Sequence, residues 1–142
     1  MSLTLERARR IVDAALAEAR SRNARPLGVI VLDAGGHPIV YEREDRASLF
    51  RFDIARAKAM GALGMGADTR EIATRAASNL PFFSSLAAVT GQIAFSPGGV
   101  LVRDASNEVL GAVGVSGDIP DIDEACAHAG ITAAGFQHGG TR

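Results

Sequence analysis

Gly111, Gly114 and Gly117 recur at intervals of three through Val109-Leu110-Gly111-Ala112-Val113-Gly114-Val115-Ser116-Gly117. The aliphatic residues between them read as a strand, and glycine inside a strand weakens it. Three in one strand imply close approach by another backbone, a helix or a flat ligand. A second cluster, Pro97-Gly98-Gly99, stands just before another short β-branched run. Ligand handling is therefore expected within residues 96–117, with tight helix-on-sheet packing as the competing reading of the same glycines.

The rest of the chain supplies the frame. Leu5, Ala8, Ile11, Val12, Ala15, Leu16 and Ala19 repeat at helical spacing, and Thr4 is placed to cap them. Strands are expected at 27–32 and 39–41, joined through Asp33-Ala34-Gly35-Gly36, and again at 93–95, 100–102 and 109–115. Ser48 is expected to cap a second helix through Leu63, and Asp68 a short third helix. An Asp121/Glu124 capping box is expected to open a last helix ending near Phe136. Pro81 reads as the start of an irregular turn. The order α-β-β-α-α-β-β-β-α gives an α+β fold, a five-stranded antiparallel sheet flanked by helices. Residues 1–136 form one domain, with a flexible tail at 137–142.

Composition excludes several functions. Hydrophobic residues are 47% and charged residues 22% of 142, the balance of a globular protein. The net charge of -1, from 15 basic and 16 acidic residues, offers no field for a nucleic-acid backbone or an anionic membrane. No apolar run approaches the roughly 18 residues of a membrane span. Glu6, Arg7, Arg9 and Arg10 stand where a secretory leader would be apolar, and the lone Cys126 forms no internal disulfide, so a cytoplasmic protein is expected.

No nucleophile elbow, zinc-binding histidine pair, paired cysteines, phosphate loop or dinucleotide fingerprint occurs. What does occur is a set of motifs in order: Asp53-Ile54-Ala55 with Lys58-Ala59, Pro97-Gly98-Gly99-Val100, the glycine-spaced segment 109–117, and Asp123-Glu124 with Ala129-Gly130. Together these resemble the GlcG/HbpS family of haem-binding proteins, which also includes the C-terminal domain of PduO-type corrinoid proteins. The resemblance implies a profilin- or PAS-like sandwich, homo-oligomers, and in some members binding of haem or a corrinoid-related tetrapyrrole.

A haem requires an apolar slot, cations for its propionates and an iron ligand. Pro97, Gly98, Gly99, Ser116 and Gly117 are expected to frame the pocket, and the Ser116-Gly117-Asp118 turn to offer backbone N–H groups to a carboxylate. Arg51 and Lys58, seven apart on one helix, are the candidate cations. Asp53 lies on a different face from Lys58 and is expected to satisfy donors at the helix N-terminus. His128 is the candidate metal ligand. His37 reads as a surface loop residue, His138 as part of the tail, and Tyr41, Met60, Met65 and Cys126 as packing residues. Two other functions remain open. One is an enzyme acting on a small carboxylate metabolite, with Lys58 or His128 moving a proton and Asp53 orienting it. The other is an oligomeric accessory module that binds no ligand.

Overall fold

The computed structural model describes residues 1–138. Helix α1 spans Leu5–Ser21 and starts as expected, with the Thr4 hydroxyl accepting the Arg7 N–H at 3.2 Å. Strands β1 (Gly28–Asp33) and β2 (Pro38–Arg43) form a hairpin in which the Asp33 carboxylate accepts the N–H groups of Gly35 and His37. Three helices follow: α2 (Arg51–Met65), α3 (Thr69–Ser78) and α4 (Leu80–Thr90). Strands β3 (Gly99–Arg103) and β4 (Val109–Ser116), helix α5 (Pro120–Ala133) and a two-residue β5 (Gln137–His138) complete the order.

The five strands pair antiparallel in the order β2-β1-β4-β3-β5, so the fold is α+β with a five-stranded sheet, as the sequence predicts. Side chains alternate faces. Val29, Val31, Val100, Val102, Val113 and Val115 pack under α1 and α5, whereas Ile30, Leu32, Leu101 and Ala112 pack under α2. Because both faces are covered, β1 and β4 read as apolar runs without the alternation of a half-solvated strand. Among the described residues, no helix is long and apolar enough to cross a membrane.

The backbone of α2 occupies the space beside two of the strand glycines. Gly99 and Gly114 are register partners on the α2 face. A methyl group on Gly114 would collide with the Ala55 carbonyl, and one on Gly99 with the Lys58 carbonyl. The alanine face of α2 (Ala55, Ala59, Ala62) completes this close approach. Gly111 abuts Leu3 and the Leu32 carbonyl, and Gly117 the Pro26 carbonyl and Leu27.

Several local expectations change. Residues 93–95 are not a strand: the Ala94 N–H donates to the Ala57 carbonyl, so this segment lies along α2 and not in the sheet. The fifth strand comes from Gln137 and His138, expected in the tail, which pair with Arg103 and Val102; the remainder of that tail, 139–142, lies outside the described residues. Pro81 sits in the first turn of α4, where a missing N–H costs nothing. Asp68 stands at the N-cap of α3 as expected, but the side chains of the expected caps serve other partners. The Ser48 hydroxyl accepts from Arg51, Asp68 accepts the Leu101 N–H, and Asp121 and Glu124 hold Arg70.

Replacing Gly114 by alanine is expected to destabilise the fold by about 1–3 kcal/mol or more, the range for overpacking. Gly64→Ala, where among the described residues no atom beyond the helix's own nearby backbone lies within 4 Å of the added carbon, should stabilise α2 by about 0.5–1 kcal/mol. Urea-denaturation midpoints of the two variants should therefore move in opposite directions.

Candidate functional site

Where the sheet ends at Gly98 and Ser116, two charges are buried together. Lys58 leaves α2 and passes close over Gly98, where an added methyl carbon would stand 2.9 Å from Nζ and 3.0 Å from Cδ. Its Nζ donates to the Val115 carbonyl at 2.8 Å and to Asp123 Oδ2 at 3.1 Å. Lys58 is 2% exposed and Asp123 1%. Burial lowers the Lys58 pKa and raises that of Asp123, and their mutual attraction only partly offsets it.

The other oxygen of Asp123 accepts the Asp118 N–H at 2.9 Å, and the Gly117 N–H also bonds this carboxylate. The Ser116-Gly117-Asp118 turn thus does receive a carboxylate, and it belongs to the chain itself. Lys58, expected on a face open to propionates, is enclosed with its counter-ion.

Arg51 has the opposite character. It is half-buried in the first turn of α2. Its Nε donates to the Ser48 hydroxyl and its Nη1 to the Ser116 hydroxyl, both at 2.8 Å. No carboxylate of the described residues forms an ion pair with it. Two hydroxyls orient the guanidinium without neutralising it, leaving a cation available for an anion. Leu49 and Phe50, which directly precede Arg51, are 82% and 62% exposed, and Ile119, three residues beyond Ser116, is 54% exposed.

Beneath Arg51, Gly28 makes room for a ring. A methyl carbon on Gly28 would lie 2.9 Å from the Tyr41 hydroxyl and 3.2 Å from Arg51 Cβ. The Tyr41 ring meets Phe52 edge-on with centroids 4.9 Å apart. Its buried hydroxyl has no hydrogen-bond partner among the described residues, and burial raises its pKa. Nothing in the sequence marked Tyr41 as more than a packing residue. Asp123 was visible as part of a motif, but its partner was not. The available signal was Lys58 itself, three residues from Ala55 and next to Ala59, on the buried alanine face of the helix.

The remaining candidates lie elsewhere. Asp53 is exposed, and no hydrogen bond or ion pair joins it to Lys58 or His128. Gly98 and Gly99 are buried beneath Lys58, while Pro97 is half-exposed. His128 stacks on His138, with centroids 4.1 Å apart and 10° between planes, and its buried Nε2 has no hydrogen-bond partner among the described residues. Cys126 is fully buried, and burial pushes its thiol up to about 11. His37 is exposed in the hairpin turn beside Asp33. Among the described residues, no group of three His, Cys, Asp or Glu side chains is arranged to hold a metal. A groove of 310 Å³ lies among Arg20, Pro26, Glu44 and Asp45, and a smaller one of 120 Å³ among Phe52, Asp53, Arg56, Ala57, Gly91 and Gln92.

Comparison with known proteins gives a consistent picture. The profile of the family described as "Haem degrading protein HbpS-like" matches residues 3–132. Among solved structures, a double mutant of HbpS from Streptomyces reticuli is 33% identical, with a TM-score of 0.82 over 95% of this chain and 88% of that one. PduOC, solved as a haem complex, is 23% identical with a TM-score of 0.87 over 96% of this chain and 98% of that one, which shows a shared fold. The ORFY protein of Klebsiella pneumoniae is 27% identical, with a TM-score of 0.82 over 93% and 90% of the two chains. No curated protein sequence matches significantly.

His128 makes stability depend on pH. Burial first, and then the neighbouring His138 and Arg70, hold its imidazole below the ordinary 6.5, against the opposing pull of Glu124 and Asp68. A lowered pKa means that the folded state prefers the neutral ring, so its stabilisation is complete above the ordinary value. It is lost as pH falls from there through the folded value. Between about pH 7.5 and about pH 5.5, Tm should fall further in the wild type than in His128→Gln. Parallel Tm profiles would remove His128 as the cause.

Proposed function

Because the chain belongs to the HbpS-like family, we propose that it is a small-molecule binding protein that takes haem or a corrinoid-related tetrapyrrole at the surface around Arg51. The observation that carries this reading is the Arg51 guanidinium, oriented by Ser48 and Ser116 and lacking a carboxylate partner among the described residues, next in sequence to exposed Leu49 and Phe50, with exposed Ile119 three residues beyond Ser116. A tetrapyrrole of this kind is a flat apolar ring with carboxylates at its edge. Arg51 suits the carboxylate, Leu49, Phe50 and Ile119 suit the ring face, and Pro97 and Ser116 border the same end of the sheet. The haem complex of PduOC, which shares the fold, supports the ligand class.

The fit is to the edge and face of the ring and not to a metal. His128, the candidate ligand, stacks on His138 and is electrostatically coupled to Asp68, Glu124 and Arg70. Lys58 and Asp123 support the site from behind by holding the turn that follows Ser116. This favours binding over proton transfer to a carboxylate metabolite, because Lys58 Nζ is enclosed between the Val115 carbonyl and Asp123. The same reading includes self-association into homo-oligomers. A cytoplasmic setting is supported by the single, buried Cys126, which needs no oxidising compartment.

Absorbance titrations with haemin and with iron-free protoporphyrin should both show a Soret shift, with affinities within a few-fold of each other. Arg51→Ala should weaken both by roughly 10- to 100-fold, the effect of losing a charge-assisted bond of about 1.5–3 kcal/mol. Binding of haemin but not protoporphyrin would transfer the recognition to the iron. Absence of any Soret shift, or indifference to Arg51→Ala, would refute the assignment.

A further inference from the structure

Gly28 lies in the middle of a cross-strand row: it pairs with Arg43 of β2 on one side and with Ser116 of β4 on the other. Directly paired residues point to the same face of a sheet. That face is the one under α2, because an added methyl carbon on Gly28 would meet the Tyr41 hydroxyl and Arg51 Cβ. Arg43, two residues beyond Tyr41, therefore leaves the sheet on the side where Arg51 reaches Ser116. The backbones of Arg43 and Ser116 stand two strand spacings apart, about 10 Å. Between them Gly28 contributes no side chain. The Tyr41 hydroxyl feels both its burial, which raises its pKa, and the Arg43 charge, which draws it back down.

Arg43 is exposed and, like Arg51, has no carboxylate within ion-pair distance among the described residues. The acidic residues on either side of it in sequence turn away. Glu42 pairs with Val29, whose side chain lies under α1 and α5, and Glu44 bonds Arg20 and the Leu27 N–H. Asp53 also acts on Tyr41, raising its pKa, but no hydrogen bond or ion pair joins it to either arginine. We infer that Arg43 is the second anchor of the Arg51 site, so that the ligand held there presents two carboxylates from one edge. This rests on the reading of Arg51 as the cation that receives the first carboxylate. Two guanidinium groups beside one space repel each other, and a ligand with two carboxylates relieves that repulsion at both. The two tetrapyrrole classes are thereby separated. A porphyrin carries two propionates on neighbouring rings of one edge, whereas a corrinoid whose side chains end in amides offers neither arginine a charge.

Absorbance titrations with protoporphyrin and with its monomethyl ester, which keeps one carboxylate, test the second anchor. Arg43→Ala and Arg43→Glu alter an exposed position, so far-UV circular dichroism and Tm should stay close to wild type. Wild type should prefer the diacid by about 3- to 5-fold, the effect of one exposed ion pair. Arg43→Ala should remove that preference by weakening the diacid alone. Arg43→Glu should weaken the diacid by about 10- to 25-fold, because reversal adds a repulsion of similar size. Arg51→Ala should weaken both compounds. If Arg51→Ala does so while Arg43→Ala changes neither compound, or both equally, Arg43 is no carboxylate anchor and the ligand is held at Arg51 alone. Absence of a Soret shift with either compound, or indifference of both to Arg51→Ala, would overturn the Arg51 reading and the second anchor with it.

Discussion

Lys58 and Asp123 face each other out of water, one rooted in α2 and the other in α5, on opposite sides of the sheet. Charges this buried are expensive to desolvate, and the pair is tolerable only because each partner has further bonds. Lys58 also donates to Val115, while Asp123 gathers the backbone of Gly117 and Asp118. The pair therefore joins both helical layers and the end of β4 at one point. It sets a steric condition as well. The lysine stem must pass over Gly98, and the backbone of α2 must lie against Gly99 and Gly114, so side chains are excluded from these positions.

This arrangement separates the roles of two basic residues that look equivalent in sequence. Lys58 is internal and neutralised by Asp123. Arg51, two turns earlier on the same helix, reaches Ser116 just before the clamped turn and has no carboxylate counter-ion among the described residues. A rigid support under Ser116 orders a guanidinium before any ligand arrives, which reduces the entropy lost on binding. The proposed site thus combines one enclosed ion pair with one cation that no carboxylate of the described residues pairs.

Much of the frame was legible because it depends on local pattern. The α1 stripe, the Thr4 cap, the first hairpin and the β3–β4 pairing all repeat with helical or strand periodicity. The glycines correctly signalled close approach, but a missing Cβ does not say what approaches, and α2 took the place imagined for a ligand. Elements decided by distant partners were not legible. Residues 93–95 have strand composition but bond to α2. Gln137 and His138 look like a tail until β3 supplies an edge. Asp68 and Asp121 are capping residue types whose carboxylates bond instead to Leu101 and Arg70, distant in sequence, while the Ser48 hydroxyl accepts from the Arg51 side chain three residues on. At the site, Arg51 stands out in the sequence as a cation near the start of α2, while the enclosure of Lys58 required knowing that α5 brings Asp123 to it.

A double-mutant cycle on Lys58→Met and Asp123→Leu, read by urea denaturation, tests the dependence of the fold on this pair most directly. Each single change leaves a buried charge unpaired and should cost about 3–5 kcal/mol. The double variant, with no charge left to strand, should lose far less than the sum. Losses that add to within about 0.5 kcal/mol would show two independent residues and contradict the account.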